Sequence, residues 1–232
     1  MNWLYLLLDL LAVAGPVVLS FDSRVQYVYK WKFVLLASTI ISVPFIIHDE
    51  LFTSNGFWGF NDAYITGVKI GNLPIEEILF FLVIPFSCAF IYACCNYYFR
   101  RIKSKGINQL VQLLLFSYIL MILFANPTGW YSMTVSMAAL IILFIWVRSK
   151  NTGHIGLAFL ISLIPFFIMN GILTGAVTES PVVWYDDIQN TTWRIGTIPF
   201  EDTIYAFVLI VSTVLLSDNF ISQQSKELKE SI

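Results

Sequence analysis

Apolar residues run along this chain in seven long blocks separated by short polar segments. They are Trp3 to Phe21, about Lys32 to Ile47, Ile75 to Phe99, Gln109 to Ala125, Met133 to Val147, Leu157 to Leu173 and Phe200 to Ser217. Each approaches the roughly 20 residues an α-helix needs to cross a bilayer, and flanking interfacial residues extend the shorter ones. Gly15-Pro16 breaks the first block, and no small-residue cleavage site follows it, so it reads as a retained span. The pattern predicts an all-α integral membrane protein with seven transmembrane helices. Composition agrees: 58% of residues are hydrophobic and 12% charged, with a mean hydropathy of +0.76, against about 25% charged in soluble domains.

Charge placement adds an orientation, because Lys and Arg near span ends gather on the cytoplasmic side. Arg24, Lys30 and Lys32 lie between the first two blocks, and Arg100, Arg101, Lys103 and Lys105 between the third and fourth. Arg148 and Lys150 separate the fifth and sixth, and Lys226 and Lys229 follow the seventh. A seven-span path puts all of these on one side, which places the N-terminus outside and the C-terminus in the cytoplasm. Of the 13 basic residues only Lys69 and Arg194 fall on the opposite side. That side is otherwise acidic, carrying Asp49, Glu50, Asp62, Glu76 and Glu77 in one connection and Glu179, Asp186, Asp187, Glu201 and Asp202 in another.

The two exceptional cations belong to a repeat. Lys69 to Glu77 reads KIGNLPIEE, and Arg194 to Asp202 reads RIGTIPFED. Upstream, Pro44-Phe45-Ile46-Ile47-His48-Asp49 matches Pro165-Phe166-Phe167-Ile168-Met169-Asn170, and Thr53 matches Thr174. Two matches in the same order point to a duplicated unit. The expected organisation is two parallel three-helix repeats joined by a linker helix: residues 1–105, a linker span over 106–126, a second repeat over 127–221, and a polar, disordered cytoplasmic tail over 222–232. Ligand sites in such arrangements lie between repeats.

Each repeat brings a carboxylate pair to the start of a long apolar run. Pro74 and Pro199 suit the first turn of a helix, so Glu76-Glu77 and Glu201-Asp202 enter first turns where free amides and the helix dipole favour anions. Capping is one use for such residues. Two adjacent acids at the edge of hydrocarbon also favour a neutral carboxylic acid on at least one member, through like-charge repulsion and desolvation. Lys69 or Arg194 could hold the other member ionised. Helical spacing puts Glu76 on one face with Phe80 and Val83, and Glu201 with Tyr205 and Val208. Such an aromatic is either packing or the stabiliser of a transient carbocation. Asp49 and Asn170, partners in the repeat, read as hydrogen-bonding supports. Asp9, inside the first span, is either functional or held by a serine or tyrosine. Cys88, Cys94 and Cys95 share one apolar run and read as small hydrophobes. His48 and His154 are isolated, so no metal site is expected.

In combination these motifs resemble the lycopene cyclase domain family. The first copy carries Pro-Phe with a following Asp, an aromatic loop with Trp58-Gly59-Phe60-Asn61 and Tyr64, then Gly-x-Leu-Pro-Ile-Glu-Glu. The second carries Asn170 to Gly175, Pro181-Val182-Val183, Arg194-Ile195-Gly196 and Pro199-Phe200-Glu201-Asp202-x-x-Tyr205. The two domains of the heterodimeric bacterial enzymes stand fused here, as in archaeal and fungal bifunctional relatives. The resemblance implies a lycopene beta-cyclase, an isomerase that closes the acyclic ends of lycopene to give beta-carotene through gamma-carotene, in a bacterial-type cytoplasmic membrane. It further implies Glu76, Glu77, Glu201 and Asp202 as acid and base, Lys69 and Arg194 as their tuners, and Phe80 and Tyr205 as cation stabilisers.

Hydrogen count is unchanged in that reaction, so no redox partner or cofactor is expected. Neither a flavin-binding GxGxxG nor a soluble strand-helix unit occurs. The expected partners are lycopene, the bilayer and other carotenoid enzymes, with no nucleic acid. Three other classes fit less well. A prenyltransferase needs aspartate-rich motifs, of which Asp186-Asp187-Ile188-Gln189-Asn190 is a partial, single copy. A retinal receptor needs a lysine in the last span, which has none. A transporter's charges should lie deeper in the spans than these do. Trp58, Phe60, Trp184 and Tyr185 either form an interfacial belt or clamp a polyene.

Overall fold

The computed structural model describes residues 3–149 and 153–230. Lys150, counted above among the basic residues, lies outside them, as do the extreme ends of the first and last segments. Seven α-helices occur among the described residues: α1 (Leu4–Leu19), α2 (Trp31–Ser54), α3 (Ile75–Tyr98), α4 (Ser104–Ala125), α5 (Trp130–Arg148), α6 (Ile155–Leu173) and α7 (Phe200–Glu230). Six of them, α2 to α7, are long and apolar enough to cross a membrane. The seventh, α1, has 16 residues and reaches about 24 Å, short of a hydrocarbon core of about 30 Å. The architecture is that of an all-helical integral membrane protein.

The two largest boundary differences from the hydropathy reading have one physical reason. The second apolar block stops at Ile47, yet α2 continues to Ser54. His48, Asp49 and Glu50 are therefore helical, and Asp49 belongs to a span instead of the connection where its charge seemed to place it. Its carboxyl points inward and is 3% exposed. At the other end, α7 runs to Glu230, so the polar stretch from Ser222 to Glu230, expected to be disordered, continues the helix. Polarity marks where lipid contact ends, whereas a helix ends only when its backbone hydrogen bonds do.

The two helices that begin at the carboxylate pairs form the centre. Helix α3 packs against α1, α2, α6 and α7, while α7 packs against α2, α3, α5 and α6. Helix α4 lies outside, on α5 and α6. Phe207 of α7 is buried between the rings of Trp146 on α5 and Phe159 on α6. The peripheral helices leave a belt of exposed apolar side chains, including Leu10, Leu36, Leu113 and Phe144, far more than a soluble surface tolerates.

The α2–α3 and α6–α7 connections carry all six short strands among the described residues. Strand β1 (Trp58–Phe60) of the first pairs antiparallel with β4 (Val183–Tyr185) of the second, in the register Trp58 to Tyr185 and Phe60 to Val183. Asn61 N donates to Val182 O at 2.9 Å and Asp186 N to Phe57 O at 2.8 Å, extending the ladder at both ends. Each connection then folds a tight hairpin, β2 (Lys69–Ile70) with β3 (Leu73–Pro74) and β5 (Arg194–Ile195) with β6 (Ile198–Pro199). The tight turns need a left-handed residue, supplied by Gly71 and Gly196, both at φ 64°. Ile75 N donates to Val68 O and Phe200 N to Trp193 O, so each hairpin abuts the start of its helix. Pro74 is the N-cap of α3, one residue earlier than a first-turn proline. The hairpins thus deliver Glu76-Glu77 and Glu201-Asp202 to first helical turns.

Candidate active site

The two members of each acid pair do different things. Consecutive helical residues project about 100° apart, so one faces the overlying loop while the other faces the bundle. Glu76 accepts from Thr66 N at 2.7 Å, and Glu201 accepts from Thr191 N at the same distance. Glu201 accepts further from Ser132 Oγ at 2.6 Å and from Thr191 Oγ1 at 3.3 Å. Both carboxyls are 0% exposed. They anchor the long connections to α3 and α7, and neither lines the central cavity.

Glu77 and Asp202 do line it, and Asp49 joins them from α2. Tyr5 hydroxyl donates to Glu77 Oε2 at 2.7 Å, and Tyr205 hydroxyl donates to Asp49 Oδ1 at 2.6 Å. Asp49 and Glu77 line the same cavity, with no cation among its lining residues. Asp202 receives three donors: Tyr131 hydroxyl at 2.6 Å, Asn170 Nδ2 at 2.8 Å and Tyr185 hydroxyl at 3.0 Å. The contacts of Tyr5 with Glu77 and of Tyr131 with Asp202 come from the starts of α1 and α5 and mirror each other. Burial first, and then the neighbouring Asp202, push the Tyr185 phenol well above its usual pKa, so it stays a donor.

The cavity encloses about 60 Å³ and has aromatic walls that include Tyr5, Trp58, Phe80, Phe166 and the three tyrosines beside Asp202 and Asp49. Strands β1 and β4 roof it through Trp58, Phe60, Val183 and Tyr185. No Lys or Arg is among the residues that line it. Three buried carboxyls without a cation, surrounded by ring faces, form an electrostatic environment suited to a positive charge that develops on an apolar guest.

Of the residues singled out in sequence, the structure gathers Glu77, Asp202, Phe80, Tyr205, Asp49 and Asn170 around this cavity. Glu76 and Glu201 stand beside it. Lys69 and Arg194 are turned away to loop partners: Lys69 Nζ pairs with Asp62 at 2.8 Å, and Arg194 with Asp187 at 2.6 Å. Arg194 also donates to Thr197 O at 2.7 Å and lies 5.9 Å from the Tyr185 ring centroid, its one link to the cavity wall. The Lys69 pair is exposed, so Lys69→Met is expected to change stability by at most about 1 kcal/mol, measured as thermal unfolding in detergent. Asp9 is 1% exposed, and neither of its oxygens has a hydrogen-bond partner among the described residues. It lies outside the residues that line the cavity.

Sequence reasoning overlooked Tyr5 and Tyr131 and took Tyr185 for an interfacial belt residue or a clamp. A signal for the first two existed, since both stand at the start of the first helix of a repeat. A tyrosine near an interface is common enough in membrane proteins to hide such a match.

The sequence model of the lycopene cyclase family matches residues 2–95 and 128–220. Those two stretches contain every residue of the cavity and leave α4 outside them. No curated protein and no solved structure matches the chain. With most of its length in the family match and buried acid chemistry between the matched stretches, the chain belongs to the lycopene cyclase family.

Proposed function

We propose that this chain is a lycopene beta-cyclase that closes both acyclic ends of lycopene, giving beta-carotene through gamma-carotene. The observation that carries the reading is the buried trio of Asp49, Glu77 and Asp202 in an aromatic cavity that holds no cation. Of the two buried carboxyls Asp49 and Glu77, which line the cavity together, one carries a proton and serves as the acid. It protonates the terminal double bond, and the internal double bond attacks the resulting tertiary cation to form the ring carbon–carbon bond. The charge then lies on a ring carbon faced by Phe80 and Tyr205. Asp202, held by three donors, accepts the proton lost from the ring. One proton enters and one leaves, so the reaction is an isomerisation with no electron transfer. Tyr205, Tyr131 and Tyr185 provide hydroxyls through which the proton can return to the acid pair.

The same proposal includes the organisation around the site. Residues 1–105 and 127–221 form two parallel repeats, 106–126 the linker and 222–232 the cytoplasmic tail. The long connections face outward from a bacterial-type cytoplasmic membrane. The choice of a beta rather than an epsilon ring depends on which ring proton Asp202 can reach.

Expression in a lycopene-accumulating bacterium that has no other cyclase tests the reading. The expected pigment is beta-carotene, with gamma-carotene as the intermediate. Lycopene left unchanged while the protein is present in the membrane would overturn it, and epsilon rings would overturn the ring assignment alone.

A further inference from the structure

The central cavity, at about 60 Å³, is much smaller than the roughly 300–1,000 Å³ of ordinary ligand pockets. A second cavity of about 290 Å³ lies directly beside it, between α2, α5 and α7. Tyr205 is the one residue common to both linings. Its hydroxyl donates to Asp49 on the acid side, and its ring packs edge-on against Phe45, 4.8 Å between centroids, in the wall of the larger cavity. The larger cavity is a crevice with apolar walls, among them Ile41, Val135, Ala138 and Val208. Its rim includes Pro44 and Ile141, both exposed on the apolar periphery, Ile141 by 57%.

We infer that this crevice is the lateral binding site for the polyene chain, which enters from the hydrocarbon layer and presents its acyclic end to the acids past Tyr205. The inference rests on the cyclase reading. Three observations favour a polyene over other occupants. The crevice adjoins the acid cavity, with the Tyr205 side chain common to both walls. It has no Lys, Arg, Asp or Glu in its lining that would hold a charged headgroup. The β1–β4 ladder roofs the acid cavity on the side of the long connections, and a guest soluble only in lipid has no reason to approach from water. From Tyr205 to Ser212 the crevice follows about 10 Å of α7, a length that suits an extended chain.

The test is Ala138→Trp, which fills the crevice from α5, with Leu113→Trp on the exposed face of α4 as the control. Each protein, expressed in the lycopene-accumulating bacterium, is assayed for pigment conversion and, after purification, for polyene retained per protein. Ala138→Trp is expected to lower conversion by about a hundredfold and to lose the retained polyene, while Leu113→Trp keeps both. Conversion at the wild-type rate by a folded Ala138→Trp overturns the inference and leaves the cyclase reading standing. Folding is read from gel filtration and thermal unfolding. If Ala138→Trp does not fold, Ile141→Trp at the exposed rim decides by the same criterion. Native mass spectrometry that finds phospholipid, not polyene, as the species displaced by the substitution overturns the inference. Failure of the wild type to convert or retain lycopene sinks the cyclase reading itself, and the inference with it.

Discussion

Glu77→Gln and Asp202→Asn are each expected to lower lycopene conversion by about a hundredfold or more, the usual range for a lost general acid or base. Folded protein persists in both, because the amide has the size of the carboxyl and still fits its place. Gln at 77 can accept the hydrogen bond from Tyr5, and Asn at 202 still has one oxygen for its three donors. Each loses the ability to release or bind a proton. The two should fail at different stages. Without the acid of the Asp49–Glu77 pair no cation forms, and lycopene accumulates. Without the base the cation forms and has no acceptor, so Asp202→Asn is expected to give traces of rearranged or water-trapped products. Chromatography of pigments, normalised to membrane protein, separates the cases. Equal conversion by either variant and wild type would remove that residue from the chemistry.

Glu201→Ala is expected to act on stability, at about 3 kcal/mol or more. Its carboxyl satisfies Thr191 N, Thr191 Oγ1 and Ser132 Oγ in a fully buried site. Removing it leaves those donors without a partner, at roughly 1–3 kcal/mol each when buried. The loop from β4 to β5 would lose its tie to α7, and Tyr185 would lose its fixed approach to Asp202. The measurement is thermal unfolding in detergent together with membrane yield. Glu76→Ala should follow in the same direction by a smaller amount, since among the described residues Glu76 accepts from Thr66 N alone. A Glu201→Ala protein as stable as wild type would show that the loop is held by other contacts. Conversion per folded molecule should fall far less in Glu201→Ala than in Glu77→Gln. The reverse order would exchange the roles of the two acids in each pair.

The contrast between these experiments comes from a distinction that the repeat alone does not make. KIGNLPIEE and RIGTIPFED announce two acids at the start of each helix, and nothing in their order says which one turns toward the bundle. Spacing from Phe80 pairs it with Glu76 one turn earlier, yet the cavity is lined by Glu77 and Phe80, three residues apart and also on one helical face. Asp49 reads in sequence as a hydrogen-bonding support in a connection, because it follows an apolar block and a histidine and hydropathy ends the span before it, whereas packing carries α2 about two turns further and buries the carboxyl in the cavity.

What the sequence determined by itself is the set of features written along one dimension. The apolar blocks locate the helices because lipid contact requires runs of apolar residues. Gly and Pro place the hairpins and helix starts because they restrict backbone angles locally. The duplicated motif brings a carboxylate pair to the head of α3 and of α7 for the same local reason. Tertiary structure alone decided the rotation of those helices about their axes, and with it the division of each pair into a loop anchor and a cavity acid. It also brought Tyr5, Asp49, Tyr131 and Tyr185 to the acids from four separate elements. A step of one residue turns a helical side chain by about 100°. Which face points inward is therefore set by the packing of whole helices against one another, and no short stretch of sequence contains that information.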